Sequence, residues 1–138
     1  MKKVSLVVSV YNEEQGLEEF YKVTKQVLDS LTDYETGICF VNDGSTDGSA
    51  RILSAIREND PGHVKVIEFS RNFGHEAAMC AGLDHADGDY LIFLDADLQH
   101  PPQMIPEIMK AFENGAETIS MVRTKNKDAG LIKNITSG

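Results

Sequence analysis

The sequence has few cysteines, no excess of basic residues and no long apolar run, and each shortage excludes a class of protein. Its 138 residues carry a formal net charge of −9, which argues against a nucleic-acid partner, because nucleic-acid binding needs a basic patch. Two cysteines do not make a disulfide framework, and we expect Cys39 and Cys80 to be buried free thiols in a reducing compartment. The longest apolar runs have only the length of a strand and no signal peptide opens the chain, so no membrane span is predicted.

Strand-like and helix-like segments alternate along the chain. Apolar runs predict strands at residues 4–10, 38–41, 64–69, 90–94 and 118–122, with helices between them and a last helix over about 102–114. This alternation predicts an α/β fold, with a mostly parallel sheet and helices on both faces. No linker precedes Lys125, so we assign residues 1–124 to one subdomain. Residues 125–138 form a tail, either a frayed loop or the start of a further unit.

The fourth predicted strand ends in a cluster of oxygen-bearing side chains. Five apolar or aromatic residues, 90–94, indicate a strand that is buried on both faces. If the backbone stays extended, Asp95, Asp97 and Gln99 point the same way, since side chains alternate with period two. Hard oxygen ligands of this kind suit Mg²⁺ or Mn²⁺. A polar loop after a buried strand is the alternative interpretation of the same residues.

The other predicted strands also end in polar residues, and their assortment indicates a function. In an open α/β sheet, ligands bind outside the carboxyl ends of the strands, where the strand order reverses. An aromatic side chain, a single acid, two arginines and an acid pair would share this edge; they are Tyr11, Asp43, Arg71, Arg123, and Asp95 with Asp97. Arginines bind phosphate oxygens, and an acid pair can hold the metal that bridges a diphosphate. Together they predict a site for a nucleoside diphosphate.

Four blocks carry a close resemblance to a known family. Residues 8–14 (VSVYNEE), 41–49 (VNDGSTDGS), 70–75 (SRNFGH) and 95–102 (DADLQHPP) resemble family 2 glycosyltransferases, which have the GT-A fold. The set is most similar to the branch that makes polyprenyl-phosphate sugars, such as dolichyl-phosphate mannose synthase and bactoprenyl-phosphate glucosyltransferases. The blocks cover nearly all of the chain, which therefore looks like the donor-binding half of such an enzyme.

The resemblance implies a role for each matching residue. Tyr11, Glu13 and Asp43 would hold the base and ribose of the donor, and Arg71 is a weaker candidate for the base pocket. Asp95 would face the ribose and the metal. Asp97 and Gln99 would be the principal metal ligands, and Arg123 would contact the donor phosphates.

The resemblance also implies the reaction and the partners. The expected activity is inverting transfer of a hexose from a UDP- or GDP-sugar to a polyprenyl phosphate or related acceptor, with Mg²⁺ or Mn²⁺. Family members continue well beyond the length of this chain, so we expect the acceptor-binding half to be absent and the isolated chain to be inactive or weakly active. Membrane association is expected only through segments outside the chain, at the cytoplasmic face. Apolar surface left by an absent half would favour a homo-oligomer.

Several other functions fit the sequence less well. Residues 44–48 lack the Lys and Ser/Thr of a P-loop, so a turn and helix cap is favoured there, and Met79 stands where a zinc motif that begins at His75 needs its second histidine. A sugar-phosphate nucleotidyltransferase should have a Gly-rich loop after the first strand, and a receiver-type signalling domain an acid pair there; residues 11–14 provide neither. Two alternatives stay open: a nucleotide-binding domain without transfer activity, and a family 2 transferase that acts on a saccharide hydroxyl.

Overall fold

The computed structural model describes residues 2–96, 102–113, 119–122 and 131–134, the last two stretches as backbone. The chain alternates strands and helices in the order β1 (Lys3–Val10), α1 (Leu17–Asp29), β2 (Glu35–Asn42), α2 (Ser49–Asn59), β3 (Val64–Glu68), α3 (His75–His85), β4 (Tyr90–Asp95), a 3₁₀ turn (Pro102–Met104), α4 (Ile105–Glu113), β5 (Ile119–Val122) and β6 (Leu131–Asn134). The predicted alternation is therefore observed.

Four strands form a parallel sheet in the order β3-β2-β1-β4. Strand β1 lies in the middle, and Val8 is in register with Phe40 of β2 and with Leu94 of β4. The predicted α/β fold with a parallel sheet is confirmed. Because β2 and β4 flank β1 on opposite sides, the chain changes direction across the sheet at β1, which is the topological switch point where such folds bind ligands.

The larger core lies between one face of the sheet and helices α1, α2 and α4. It contains buried side chains of β1, the central strand, and of each of these helices, among them Val4, Leu6, Val8, Val10, Leu17, Phe20, Leu53, Ile105 and Ile108. The buried residues of α1 recur every three or four positions, which is the spacing of one helix face. One of them, Thr24, is fully buried, and its Oγ1 finds no hydrogen-bond partner among the described residues.

Helix α3 lies on the opposite face of the sheet and packs through small residues. Ala78 is buried against Val7 and Val41. A Cβ on Gly82 would lie 2.2 Å from Cγ1 of Val7, so only glycine permits this approach of α3 to β1. The expectation that both thiols are buried is correct for Cys39 and wrong for Cys80, which is exposed in α3.

Two predictions about the strands need correction. Burial in β4 alternates instead of covering both faces: Ile92 and Leu94 are buried, whereas Leu91 and Phe93 are only half-buried. The side chains on the larger-core face are covered more completely than those that face the small residues of α3. Strand β5 pairs antiparallel with β6 and not with the parallel sheet, and β6 lies in the segment interpreted as a tail.

Asp60, which follows α2, connects three parts of the chain. Its carboxylate accepts hydrogen bonds from Tyr21 Oη at 3.0 Å and from His63 Nδ1 at 2.8 Å, and lies 3.7 Å from Lys25 Nζ. Burial raises the pKa of Asp60, but the hydrogen bonds of His63 and Tyr21 and the charge of Lys25 outweigh it and leave the pKa lowered. Burial, with the neighbouring Asp60, raises the pKa of Tyr21 to about 12.

None of the helices in residues 2–96 and 102–113 combines the length and apolar character that a bilayer-crossing helix needs.

Candidate functional site

The carboxyl ends of the four parallel strands bring most of the described candidate residues to one edge of the sheet. Across the strand order, this edge carries Arg71 after β3, Asp43 after β2, Tyr11 after β1 and Asp95 at the end of β4. Asp95 is in register with Ser9, two residues before Tyr11, and the Asp43 amide donates to the carbonyl of Val10 at 2.8 Å. The shared edge that the sequence predicted is therefore present for these four residues.

Asp43 is buried at this edge, with 3% of its surface exposed. Its Oδ1 accepts a hydrogen bond from the Phe73 amide at 2.8 Å, and its Oδ2 accepts one from the Gly74 amide at 3.1 Å. The Gly74 amide also lies 3.3 Å from Oδ1. The carboxylate thus joins the end of β2 to the loop that leads from β3 into α3.

The same loop lies directly against the next residue, Gly44. Gly44 has a φ of 71°, and a Cβ there would lie 2.2 Å from the carbonyl carbon of Arg71 and 2.3 Å from the amide nitrogen of Asn72. Both contacts are with backbone, which cannot rotate away as a side chain can. Position 44 therefore requires glycine for its conformation and for its space.

Arg71 and Phe73 form a stacked pair on this loop. The guanidinium carbon of Arg71 lies 4.7 Å from the centre of the Phe73 ring, within the range of a cation–π contact. The Phe73 ring also meets Phe69 edge-on, with centroids 5.5 Å apart. Phe73 is nevertheless 51% exposed, so the pair lies on the surface.

The loops after β1 and β2 are linked by backbone-to-side-chain hydrogen bonds. Asn12 has a φ of 52°. Its side-chain Oδ1 accepts a hydrogen bond from the backbone amide of Thr46 at 2.8 Å, and its backbone N–H donates one to Ser45 Oγ at 3.0 Å. The Glu13 amide donates to Ser49 Oγ at 2.9 Å. These bonds fix the backbone that follows Tyr11, whose side chain is 45% exposed.

Residues 44–48 lead from β2 into α2, whose N-cap residue, Gly48, makes no side-chain capping bond, so the predicted cap is made by the neighbouring Asp47. Asp47 Oδ1 accepts from the amide of Ser49, the first residue of α2, at 2.9 Å, and Oδ2 accepts from the Glu14 amide at 3.2 Å. Slight burial raises the pKa of Asp47, but the hydrogen bonds from Ser49 and Glu14 lower it more, and the pKa is lowered overall. Asp47 thus holds the start of α2, whereas Asp43 bonds the loop at the candidate site.

The described part of the predicted metal set is Asp95. It ends β4 half-buried at the switch-point edge, and its carboxylate is the hard oxygen donor that Mg²⁺ and Mn²⁺ prefer. Within residues 2–96 and 102–113, no three acidic, histidine or cysteine side chains cluster as a metal site. Ala96 already lies in a turn, so the assumption of an extended backbone from Asp95 to Gln99 is wrong at this residue.

Three candidate residues, Asp97, Gln99 and Arg123, lie outside the described residues. Their assignment as metal ligands and as a phosphate contact stays a prediction. The ligand contacts predicted for Tyr11, Glu13, Asp43, Arg71 and Asp95 also stay predictions, although the structure gives their positions.

Sequence reasoning missed two residues that shape this edge. Phe73 lies in the middle of one of the four blocks and is exposed. An aromatic residue close to an apolar strand is usually expected to be buried, so nothing in the sequence indicated this exposure. Gly44 follows an Asn-Asp pair and was interpreted as a turn residue. Its close contact with a loop nearly thirty positions later has no local signal.

Comparison with known proteins identifies the family. The family model described as glycosyl transferase family 2 matches residues 5–136, which is nearly the whole chain. The chain belongs to glycosyl transferase family 2. The family and fold that the four sequence blocks predicted are therefore confirmed.

Relatives of this family 2 domain include proteins named for lipid-linked sugars. It is 42% identical over 135 residues to the prophage bactoprenol glucosyl transferase homolog of Escherichia coli K12, covering 98% of this chain and 44% of that protein. It is 39% identical over 130 residues to the undecaprenyl-phosphate 4-deoxy-4-formamido-L-arabinose transferase of Klebsiella pneumoniae 342, covering 94% of this chain and 39% of that protein. The chain thus spans less than half the length of these curated relatives.

A solved structure shows the same fold with a bound donor. The mannosyltransferase PcManGT of Pyrobaculum calidifontis, in complex with GDP-Man and Mn²⁺, matches this family 2 domain with a TM-score of 0.62 and 27% identity. The match covers 70% of this chain and 28% of that one.

Proposed function

We propose that this family 2 domain binds the nucleotide-sugar donor of an inverting hexosyltransferase whose acceptor is a polyprenyl phosphate or a related lipid phosphate. The donor is a UDP- or GDP-sugar, bound together with Mg²⁺ or Mn²⁺. The full-length enzyme would work at the cytoplasmic face of the membrane, where a lipid-phosphate acceptor and a nucleotide sugar can meet. The relatives named for bactoprenol and undecaprenyl phosphate support the acceptor class.

The observation that carries this proposal is the convergence of candidate residues at the switch point. Strands β2, β1 and β4 are neighbours, and Asp43, Tyr11 and Asp95 stand at their carboxyl ends. An exposed aromatic ring can stack on a base, and a carboxylate can accept hydrogen bonds from a base or from ribose hydroxyls. This combination favours a nucleoside over an isolated phosphate.

The charge of the domain supports a role for local cations. With a formal net charge of −9, the domain repels a diphosphate at long range unless positive charge lies close to the binding edge. Arg71 supplies such a charge at the end of β3 and is exposed. In the proposed site, Arg71 and Arg123 bind anionic or polar groups of the donor through their guanidinium forks.

A divalent cation would complete this charge balance. Asp95, Asp97 and Gln99 would hold it through oxygen atoms, and when bound it would stabilise the negative charge of the departing nucleoside diphosphate. The structurally similar mannosyltransferase PcManGT, solved with Mn²⁺, supports the use of a divalent ion by this family 2 domain.

The class of acceptor determines whether a general base is needed. A lipid phosphate is already anionic and can attack the donor sugar without losing a proton, whereas a saccharide hydroxyl requires a base to accept its proton. Nucleotide binding without transfer is the second candidate function, because the residues at this edge are suited to binding a nucleotide whether or not transfer follows.

Calorimetry with UDP and GDP, each with and without Mn²⁺, tests the proposal. We expect one nucleotide to bind in the presence of the metal, and the Asp97→Ala variant to lose most of the metal-dependent affinity. Asp84→Ala is the matched control, because Asp84 is an exposed acid near the end of α3, close to the opposite edge of the sheet. Absence of metal-dependent binding of both nucleotides would contradict the proposed donor site.

A further inference from the structure

We infer that Asn12 is a positioning residue, which ties the loop after β1 (residues 11–16) to the loop after β2 (residues 43–48) and so sets the spacing of the nucleoside-binding groups on these loops. This inference rests on the proposed function for its consequence in nucleotide binding. Its structural part depends only on contacts within the chain. It leaves the ligand contacts proposed for Tyr11 and Asp43 in place and adds a residue that acts through both.

The first observation is the backbone conformation of Asn12. Its φ of 52° is the only positive φ of a non-glycine residue in the described part of the chain. Asparagine enters this left-handed region more readily than most residues, because its short amide side chain can form hydrogen bonds nearby. A residue keeps such a conformation when the surrounding contacts require it, and such residues are frequent at binding sites. The contacts of Asn12 should therefore account for it.

Asn12 bonds to two consecutive residues of the loop after β2. Its backbone N–H donates to Ser45 Oγ at 3.0 Å, and its side-chain Oδ1 accepts from the Thr46 amide at 2.8 Å. The Ser45 amide in turn donates to Oδ1 of Asn42, the last residue of β2, at 3.2 Å. In the left-handed conformation, both the N–H and the side chain of Asn12 thus reach the facing loop, and the bonds continue to the end of β2.

A second group of hydrogen bonds joins the same loops at the start of α2. Glu14 Oε2 accepts from the Gly48 amide at 2.9 Å, and Asp47 Oδ2 accepts from the Glu14 amide at 3.2 Å. A Cβ at Gly48 would lie 2.6 Å from Glu14 Oε2, so the two loops are also in direct contact there. These bonds hold the loops at the end that leads into α2, whereas those of Asn12 hold the end next to the strands.

The position of Asn12 determines what its bonds hold in place. It directly follows Tyr11, and its partner Ser45 lies two residues after Asp43. The aromatic and acidic groups proposed for the nucleoside therefore come from two loops that Asn12 joins. A nucleoside that meets groups already held at a fixed spacing loses less free energy to loop ordering on binding. Loss of the link should therefore weaken binding without removing any contact to the ligand.

Two substitutions at position 12 separate the backbone conformation from the hydrogen bond. Asn12→Gly permits the positive φ but removes the acceptor, whereas Asn12→Asp tolerates the φ and keeps an acceptor oxygen. We expect the Thr46 amide to exchange with solvent about tenfold faster in Asn12→Gly and at the wild-type rate in Asn12→Asp. Glu14→Ala is the matched control, because it breaks the bond to Gly48 and should leave the exchange of the Thr46 amide unchanged.

Nucleotide affinity, measured by calorimetry with UDP and GDP in the presence of Mn²⁺, tests the consequence. We expect Asn12→Gly to weaken binding about tenfold. Its midpoint of urea denaturation should change little, because relief of the left-handed strain offsets the lost bond. Asn12→Asp should bind within about twofold of the wild type in about 0.5 M salt, where the added charge is screened. Glu14→Ala should also stay within about twofold of the wild type.

The two proposals can fail separately. If the wild-type chain binds neither UDP nor GDP, the proposed function fails, and the exchange of the Thr46 amide alone decides the inference. An unchanged exchange rate in Asn12→Gly would overturn the link whatever the nucleotide result. Where the wild type binds, the positioning role is overturned if Asn12→Gly keeps its affinity, or if Asn12→Asp or Glu14→Ala binds as weakly as Asn12→Gly. Faster exchange and weaker binding in Asn12→Gly, both restored in Asn12→Asp, would support it.

Discussion

Replacing Gly44 with alanine should disturb the candidate site more than any comparable glycine substitution in this loop region. The residue has a φ of 71°, and the added Cβ would lie 2.2 Å from one backbone atom of the facing loop and 2.3 Å from another. The left-handed conformation alone costs an alanine about 1–2 kcal/mol. Because the loop must also move away, the hydrogen bonds between Asp43 and the amides weaken.

The magnitude follows from adding these two effects. Hydrogen bonds to a charged group contribute about 1.5–3 kcal/mol, so displacement of the loop adds about this amount to the conformational cost. We expect Gly44→Ala to lower the free energy of unfolding by about 4 kcal/mol, measured by urea denaturation with a common slope for all variants. The variant should also bind the donor nucleotide more weakly than the wild type.

Substitutions at two other glycines separate the cost of the left-handed conformation from the cost of the clash with the facing loop. Gly62→Ala places its Cβ in open space at an ordinary φ and should change stability by less than about 0.5 kcal/mol. Gly74→Ala also meets nothing within 4 Å, but its φ of 103° is strained for alanine, and about 2 kcal/mol is expected. If Gly44→Ala were no more destabilising than Gly74→Ala, the argument from contact with the loop would be refuted.

Two further predictions concern stability away from the site. Thr24→Val should raise the free energy of unfolding by about 1 kcal/mol in urea titrations, because it removes a buried hydroxyl without a described partner and keeps the branched shape; a loss of stability would show that the hydroxyl is satisfied. Asp60→Asn should lower it by about 2 kcal/mol at pH 7. Since the folded pKa of Asp60 is lowered, its contribution is present above the ordinary pKa and lost as the pH falls through the folded value, so the difference from wild type should shrink at pH 3. A difference that stays constant between pH 7 and pH 3 would contradict this assignment.

Periodicity in the sequence predicted the elements that bury a continuous apolar face. The runs that became β1 and β4 are strong signals because each consists almost entirely of apolar residues. The boundaries shifted by a few residues, as with β2, which begins at Glu35 instead of residue 38. The edge that carries the candidate site followed directly from the order of these elements.

Features that depend on long-range contact could not be read in this way. Ala78 and Gly82 of α3 pack against the sheet, so Cys80, on the opposite face of the helix, is exposed. The composition of α3 does not show which of its faces packs against the sheet. Pairing of β5 with β6 required a strand at Leu131–Asn134, where four residues gave too short a pattern to recognise. The bonds of Asp43 go to backbone amides, which every residue except proline has, so no residue type marks the partner.

The sign of one measured change distinguishes two electrostatic views of Asp43. An acidic side chain beside a diphosphate site should repel the ligand, and by this reasoning Asp43→Asn would bind a nucleotide more tightly. In the structure, however, the carboxylate faces amide N–H groups at the start of α3, and these groups, with the positive end of the helix, offset its charge. Removing the charge then relieves little repulsion and takes one hydrogen-bond acceptor away from the Gly74 amide. Weaker binding by Asp43→Asn would therefore show that repulsion of the diphosphate is not the main effect of this carboxylate.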